Sequence, residues 1–371
     1  MRIIFTGGGT GGHIYPALAL ARYLKRVDAG TDILFVGARG GMEEEIIPGT
    51  GFPLETLPVQ GIPRKLSPSI LRSFYLLGKA GNQALKIIRK FQPDIIIGTG
   101  GYAAAPVLLA AIIKRKKVFL HEQNVVPGIT NRFLAPFVHG VCLSFEASRQ
   151  YFFRRSNLYV TGNPRASELG LIKKAEARRL LNFDPNLLMI LVVSGSRGAA
   201  AINAGMVDFL RRSAGIKHFQ VLYITGERYY ENIRTTLQNE HLLKKYGERL
   251  QVHPYQKDMP LAMAAADIIV TRAGATTIAE ITAIGLPAVV IPSPNVVHNH
   301  QLINAKELLH QGAAIVIEEK KLSGQILQQE LFTLLNNPYK REQMQENSKR
   351  IGYRRAAEHM YGLIKTFMHT N

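Results

Sequence analysis

Five glycines in six positions, Gly7-Gly8-Gly9-Thr10-Gly11-Gly12, follow the apolar run Ile3-Ile4-Phe5 and constrain this chain more than any other stretch. A short apolar run without helical period suits a buried parallel strand. The glycines behind it let the backbone turn sharply and approach another group closely. Past His13, the segment Pro16–Leu24 reads as a helix with Pro16 in its first turn, where a missing N–H costs nothing. Strand, glycine loop and helix N-terminus together suit an anion, because unpaired N–H groups and the helix dipole converge there. The loop is not a Walker A motif, since His13-Ile14 stands where Lys-Ser/Thr is needed. It satisfies G-x-G-x-x-G from Gly7, but Asp28 and Asp32 precede the second strand instead of ending it, as a dinucleotide site would require. A tight turn without ligand is the plain alternative. His13 favours a ligand, because an imidazole beside an anion-ready loop is where a general base is useful.

The rest of the first half keeps a βαβ rhythm, with strands expected at 3–5, 33–36, 54–57, 94–97, 117–120 and 138–143. Ile95-Ile96-Ile97 opens into Gly98-Thr99-Gly100-Gly101-Tyr102, and Val118-Phe119-Leu120 into His121-Glu122-Gln123-Asn124. Ligands of open α/β sheets bind outside the carboxyl ends of strands, so the loops at 6–13, 98–102 and 121–124 are expected to converge. After Gly162-Asn163-Pro164-Arg165 the rhythm restarts with Leu188–Val193 and Ser194-Gly195-Ser196-Arg197-Gly198, again strand, glycine loop and helix. Further strands are expected at 220–224, 250–253, 267–271, 287–291 and 314–317. The pattern predicts two Rossmann-like domains with a cleft between them.

A chain of 371 residues has room for both cores. Its one cysteine, Cys142, rules out an intrachain disulfide and favours a reducing compartment. The N-terminus runs straight into a strand, so nothing points to secretion, and no apolar stretch nears the roughly eighteen residues of a spanning helix. The formal net charge of +19 admits nucleic acid, anionic membrane or phosphorylated substrates as partners. The basic residues have aliphatic rather than aromatic neighbours, which argues against nucleic acid and for membrane and phosphate.

Gly8-Gly9-Thr10-Gly11-Gly12-His13, Gly100-Gly101-Tyr102, His121-Glu122-Gln123-Asn124, Gly162-Asn163-Pro164, Gly195-Ser196-Arg197-Gly198-Ala199, Arg272-Ala273-Gly274-Ala275 with Glu280, and His300-Gln301 with Asn304-Ala305 occur in a family's order. The chain resembles the MurG family of bacterial transferases across essentially its whole length. That resemblance implies an α/β fold of the GT-B type, with two Rossmann-like parallel-sheet domains facing across a cleft. Their expected bounds are 1–163 with the terminal segment 350–371, and 164–349. It implies an inverting, metal-independent hexosyltransferase. Such an enzyme moves GlcNAc from UDP-GlcNAc to the MurNAc 4-hydroxyl of undecaprenyl-pyrophosphoryl-MurNAc-pentapeptide, a step of peptidoglycan synthesis. Arg197 stands where many members carry Gln, and Gln256-Lys257 where many carry an apolar residue, so a uracil contact there is expected through the backbone.

The chemistry must meet the charge that accumulates on a departing diphosphate. No Asp-x-Asp occurs, and His298-Asn299-His300 is a weak metal pattern, so neither metal nor cofactor is expected. The resemblance implies donor binding by Thr10, Gly11, Gly12, Asn124, Arg165, Ser196, Gln256, Ala275, Thr276, Thr277, Glu280 and Gln301. Glu280 would take the ribose hydroxyls; dipole complementation at a helix start is its plain alternative. Gly9, Thr10, Gly101, Tyr102 and His121 would hold the acceptor. His13 is the expected base, with Glu122 as its rival. Residues 64–79 and 112–117 mix cations with large apolar groups, as an interfacial surface does. They point to a cytoplasmic protein peripheral on the inner face of the cell membrane, unless the first of them is only a core-facing helix with solvated cations. A related diacylglycerol glycosyltransferase, or a non-catalytic nucleotide-binding protein, are the competing readings.

Overall fold

The computed structural model describes residues 1–60, 69–153, 157–195, 198–296 and 299–369. The chain forms two compact units, Met1–Ser167 together with the segment from Arg355, and Glu168–Arg354.

In the first unit the strands are β1 (Arg2–Gly7), β2 (Asp32–Ala38), β3 (Leu54–Leu57), β4 (Ile95–Gly100), β5 (Lys117–Glu122), β6 (Gly140–Leu143) and β7 (Leu158–Val160). They form one sheet in the order β3-β2-β1-β4-β5-β6-β7, and every pairing is parallel. Successive side chains leave a strand on opposite faces. Ile4 and Ile96 therefore enter a core with Leu108 and Ala84, whereas Ile3, Phe5 and Ile97 enter another with Leu18 and Leu20. The helices Ser69–Phe91 and Ala104–Ile113 supply the first core, and Gly11–Val27 supplies the second. The last helix, Ala356–His369, joins that second face through Ala357, Met360 and Ile364. Phe367 meets Phe119 at a ring-centroid distance of 5.3 Å.

The second unit contains β8 (Leu188–Val193), β9 (Phe219–Ile224), β10 (Leu250–His253), β11 (Ile268–Thr271), β12 (Ala288–Val290) and β13 (Ile315–Val316). Their order is β10-β9-β8-β11-β12-β13, again all parallel. Both sheets wind outward from a central strand and then return to its other side. The reversals fall between β1 and β4 and between β8 and β11, and such switch points are where doubly wound sheets open a crevice.

Two local expectations need correction. Strand β7 is absent from the expected set, because three residues running into Gly162-Asn163-Pro164 carry little periodic signal. The first helix starts at Gly11, which places His13 inside its first turn and Pro16 in its second. The donor lost at Pro16 would have met the carbonyl of Gly12, which lies at an exposed position where water can satisfy it.

Candidate active site

At the first switch point two backbones pass in contact. Gly8 N–H donates to the Gly100 carbonyl at 3.3 Å. A Cβ on Gly101 would lie 2.4 Å from the Gly8 carbonyl oxygen, and Gly101 has φ +83°. Only glycine fits there. Gly9 sits against the edge of Tyr102, where an added Cβ would come within 3.1 Å of the ring, and Tyr102 is itself exposed. Thr10 occupies the N-cap of the helix Gly11–Val27 without a side-chain capping bond, so the N–H groups of Gly11 and Gly12 carry the positive end of the helix dipole.

The loop after β5 closes onto this corner. His13 Nδ1 lies 3.1 Å from Gln123 Oε1, while Gln123 Nε2 donates to the Thr99 carbonyl at 2.8 Å. The loops at 6–13, 98–102 and 121–124 thus meet in one place. Gly100, with φ +98°, leaves the room that the His13 ring fills: an added Cβ would be 3.2 Å from His13 Cε1. His121 is fully buried beneath, with Nε2 at 3.2 Å from the Gly162 carbonyl and Nδ1 at 3.1 Å from Gln123 Nε2. Burial is the main cause that pushes its imidazole down to about 4, so it is neutral near pH 7.

Two buried carboxylates hold the loops. Glu122, 2% exposed, accepts from the N–H groups of Asn124 at 2.9 Å and Gly128 at 3.0 Å and from Asn131 Nδ2 at 2.8 Å. Glu43 is equally buried and was not anticipated. It accepts from Ala38 N–H at 3.1 Å and Gly9 N–H at 3.2 Å, and it fills the space that a Cβ on Gly8 would need. In the sequence, Glu43-Glu44-Glu45 after Gly40-Gly41 reads as acids at a helix start; only the fold turns the first of them inward.

Arg165 packs over the ring of Tyr15 at 5.6 Å. With Thr10, Gly11, Gly12 and Asn124, it places part of the expected donor set in the first unit. The remainder, Gln256, Ala275, Thr276, Thr277, Glu280 and Gln301, lies in the second. Ser196 and its neighbour Arg197, and separately His298, lie outside the described residues.

In the second unit the loop after β8 turns through Gly195 and Gly198, at φ +86° and +75°, and leads into the helix Ala200–Ser213. A Cβ on Gly198 would be 2.7 Å from the Thr225 carbonyl. Buried Ser194 Oγ donates to Asn203 Oδ1 at 2.7 Å and ties the loop to that helix. Across the switch point, the helix Ala275–Ile284 begins after Gly274 with no side-chain cap. The Thr276 hydroxyl in its first turn is buried and has no hydrogen-bond partner among the described residues. Glu280 is the sixth residue of the helix and is buried, beyond the first turn where the dipole acts most strongly, which weakens the dipole reading of that residue. Gln301 Oε1 accepts from Ser293 N–H at 2.9 Å, and Asn304 Nδ2 donates to the Ala273 carbonyl at 3.3 Å, so the loops after β11 and β12 are braced from one helix. Gln256 stands half-buried just past β10. Among the described residues, no three His, Cys, Asp or Glu side chains assemble into a metal site.

Two doubly wound sheets, each with a glycine loop and an uncapped helix at its switch point, are an architecture suited to nucleotide-sugar chemistry. The chain belongs to glycosyltransferase family 28: the family's N-terminal domain matches residues 3–143 and its C-terminal domain residues 189–360. It is 44% identical to the UDP-N-acetylglucosamine–N-acetylmuramyl-(pentapeptide) pyrophosphoryl-undecaprenol N-acetylglucosamine transferase of Caldanaerobacter subterraneus, over 99% of this chain and 100% of that one. The Lactococcus lactis transferase of the same name is 41% identical, over 98% and 99%. The crystal structure of Acinetobacter baumannii MurG superposes with a TM-score of 0.75 at 29% identity, covering 98% of this chain and 99% of the other.

His121 makes the first unit acid-sensitive. Its imidazole titrates at 6.5 when unfolded and at about 4 when folded, so between those values the unfolded chain binds a proton that the folded chain does not. The stability is complete above about pH 6.5 and is lost as the pH falls toward 4, by about 3 kcal/mol in all. Urea titrations of wild type and His121→Gln at pH 7 and pH 4 should show wild type losing the larger share. Equal losses would contradict this assignment.

Proposed function

We propose that this chain transfers GlcNAc from UDP-GlcNAc to the MurNAc 4-hydroxyl of undecaprenyl-pyrophosphoryl-MurNAc-pentapeptide. The observation that carries the reading is the 44% and 41% identity, over 99% and 98% of this chain, to transferases of that name. The second unit takes the nucleotide of the donor. The N-termini of the helices Ala200–Ser213 and Ala275–Ile284, with the unpartnered Thr276 hydroxyl and Thr277, meet the charge of the departing diphosphate. Glu280 accepts from the ribose hydroxyls, and Gln301 addresses the sugar.

The first unit takes the acceptor. Thr10 and Gly101-Tyr102, with Gly9 beside them, hold the lipid pyrophosphate, while Gly11, Gly12, Asn124 and Arg165, which packs over Tyr15, keep the donor-binding role that the resemblance implies. His13 removes the proton of the attacking hydroxyl. It is favoured over Glu122, because the Glu122 oxygens are occupied by two backbone N–H groups of its own loop and by the Asn131 amide of the next helix. A single displacement inverts the anomeric carbon, so an α-linked donor gives a β-linked product.

The first unit also docks on anionic membrane. Of the stretch 64–79, residues 64–68 lie outside the described set, but Tyr75 and Lys79 are exposed. Ile113, Ile129, Phe133 and Phe137 are exposed too, with Lys114, Arg115 and Arg132 exposed nearby in sequence. Ile129 reaches 78% and Phe133 67% exposure, and Phe133 meets Phe137 at 6.4 Å between ring centroids. Large apolar groups among cations suit an anionic interface. No helix among the described residues is long and apolar enough to cross a membrane.

With labelled UDP-GlcNAc and a short-chain lipid acceptor, wild type should form the β-linked disaccharide lipid. His13→Ala should lower kcat by about 10²–10⁴-fold with donor KM nearly unchanged. A His13→Ala enzyme that keeps most of its kcat removes His13 from the base role.

Ile129→Ser with Phe133→Ser should bind phosphatidylglycerol-containing vesicles several-fold more weakly while turnover of the short-chain acceptor persists. Salt should weaken wild-type binding as well. Undiminished vesicle binding by the double variant would exclude this surface.

A further inference from the structure

Gln123 belongs to the polar run after β5, yet the reaction as described gives it no task. It is 2% exposed, and its amide lies within hydrogen-bond reach of four groups: the Thr99 and His121 carbonyls, His121 Nδ1 and His13 Nδ1. The Thr99 carbonyl oxygen, 2.8 Å from Gln123 Nε2, can only accept, so the amide must present its nitrogen there. Its oxygen then faces His13 Nδ1 at 3.1 Å. An amide oxygen also only accepts, so the proton of a neutral His13 ring must sit on Nδ1. The inner side of the amide is fixed in the same way. Gln123 Nε2 also lies 3.1 Å from His121 Nδ1 and 3.3 Å from the His121 carbonyl; an NH2 group only donates, so His121 Nδ1 carries no hydrogen and the His121 proton sits on Nε2, facing the Gly162 carbonyl at 3.2 Å. Backbone carbonyls on β4 and after β7 anchor the chain, and neither can exchange roles.

We infer that Gln123 is a positioning residue that holds His13 in its Nδ1-protonated tautomer and so leaves Nε2 bare to accept the proton of the attacking hydroxyl. The inference rests on His13 being the base. In the step, the acceptor O–H bond breaks and its electron pair forms the new bond to the anomeric carbon. The bond from that carbon to the diphosphate oxygen breaks with its pair, and the proton goes to His13 Nε2. The resulting imidazolium keeps its Nδ1–H on Gln123 Oε1, where the negative end of the amide dipole stabilises it. A carboxylate partner would favour the imidazolium before the substrate arrives, whereas an amide orients the ring without adding charge.

The ring ¹⁵N spectrum of the intact chain tests this without any variant, with His13 identified by the signals that disappear in His13→Ala. At pH 8 the free enzyme should show Nδ1 protonated and Nε2 bare. A ring protonated on Nε2 overturns the proposal. Gln123→Met, which keeps the length and loses the amide, should move the ring off that tautomer. It should lower kcat about 10- to 100-fold with donor KM unchanged, as the loss of an orienting partner does. In a His13→Ala background the same substitution should cost nothing more. An additional loss there, or a folded Gln123→Met with wild-type kcat beside an inactive His13→Ala, defeats this proposal alone. Wild-type kcat in His13→Ala defeats the base reading and this proposal with it.

Discussion

Everything the first unit offers depends on two backbones touching at the carboxyl ends of β1 and β4. Gly8 and Gly101 approach so closely that no side chain fits between them, and Gly100 clears the space that His13 occupies. A methyl group at Gly101 would part the two loops and remove the support on which Gly9, Tyr102 and His13 are arranged. The glycines are therefore a packing requirement as much as a conformational one. The helix-start N–H groups of Gly11 and Gly12 are left without a side-chain cap as by-products of backbones that had to be bare.

Around that contact, buried polar groups serve as scaffolding. Glu43 and Glu122 are both desolvated, and each is satisfied by backbone N–H groups of the loop it holds. Carboxylates committed in this way fix loop geometry and have few lone pairs left for chemistry. His121 is neutral because it is buried, so the interior next to His13 carries a dipolar chain instead of a cation. The second unit follows the same plan with fewer charges. Ser194 with Asn203, and Asn304 with the Ala273 carbonyl, brace its two switch-point loops.

The sheets, their parallel sense and the glycine loops were legible because apolar runs broken by glycine leave few other ways to bury a strand. The meeting of the three loops of the first unit followed from the same rule, since all three lie at strand carboxyl ends. Other features required contacts that no local pattern encodes. Glu43 sits 34 residues from the Gly9 N–H that it binds, within an acidic run that reads as helix-start charge. The tie from Gln123 to His13 spans 110 positions. β7 was too short to show a period, and the start of the first helix was hidden by glycines that favour no single conformation. Ile129, Phe133 and Phe137 are ordinary apolar residues in sequence; only their exposure makes them notable.

The proposed division of labour puts the nucleotide in the second unit and the acceptor in the first. Backbone amide spectra of the intact chain titrated with UDP alone test it most directly. The account predicts that the largest shifts fall on Gly195, Gly198 and Gly274–Thr277, with Gly8, Gly9, Gly100 and Gly101 little changed. The largest shifts on Gly8, Gly9, Gly100 and Gly101, with Gly274–Thr277 silent, would contradict it.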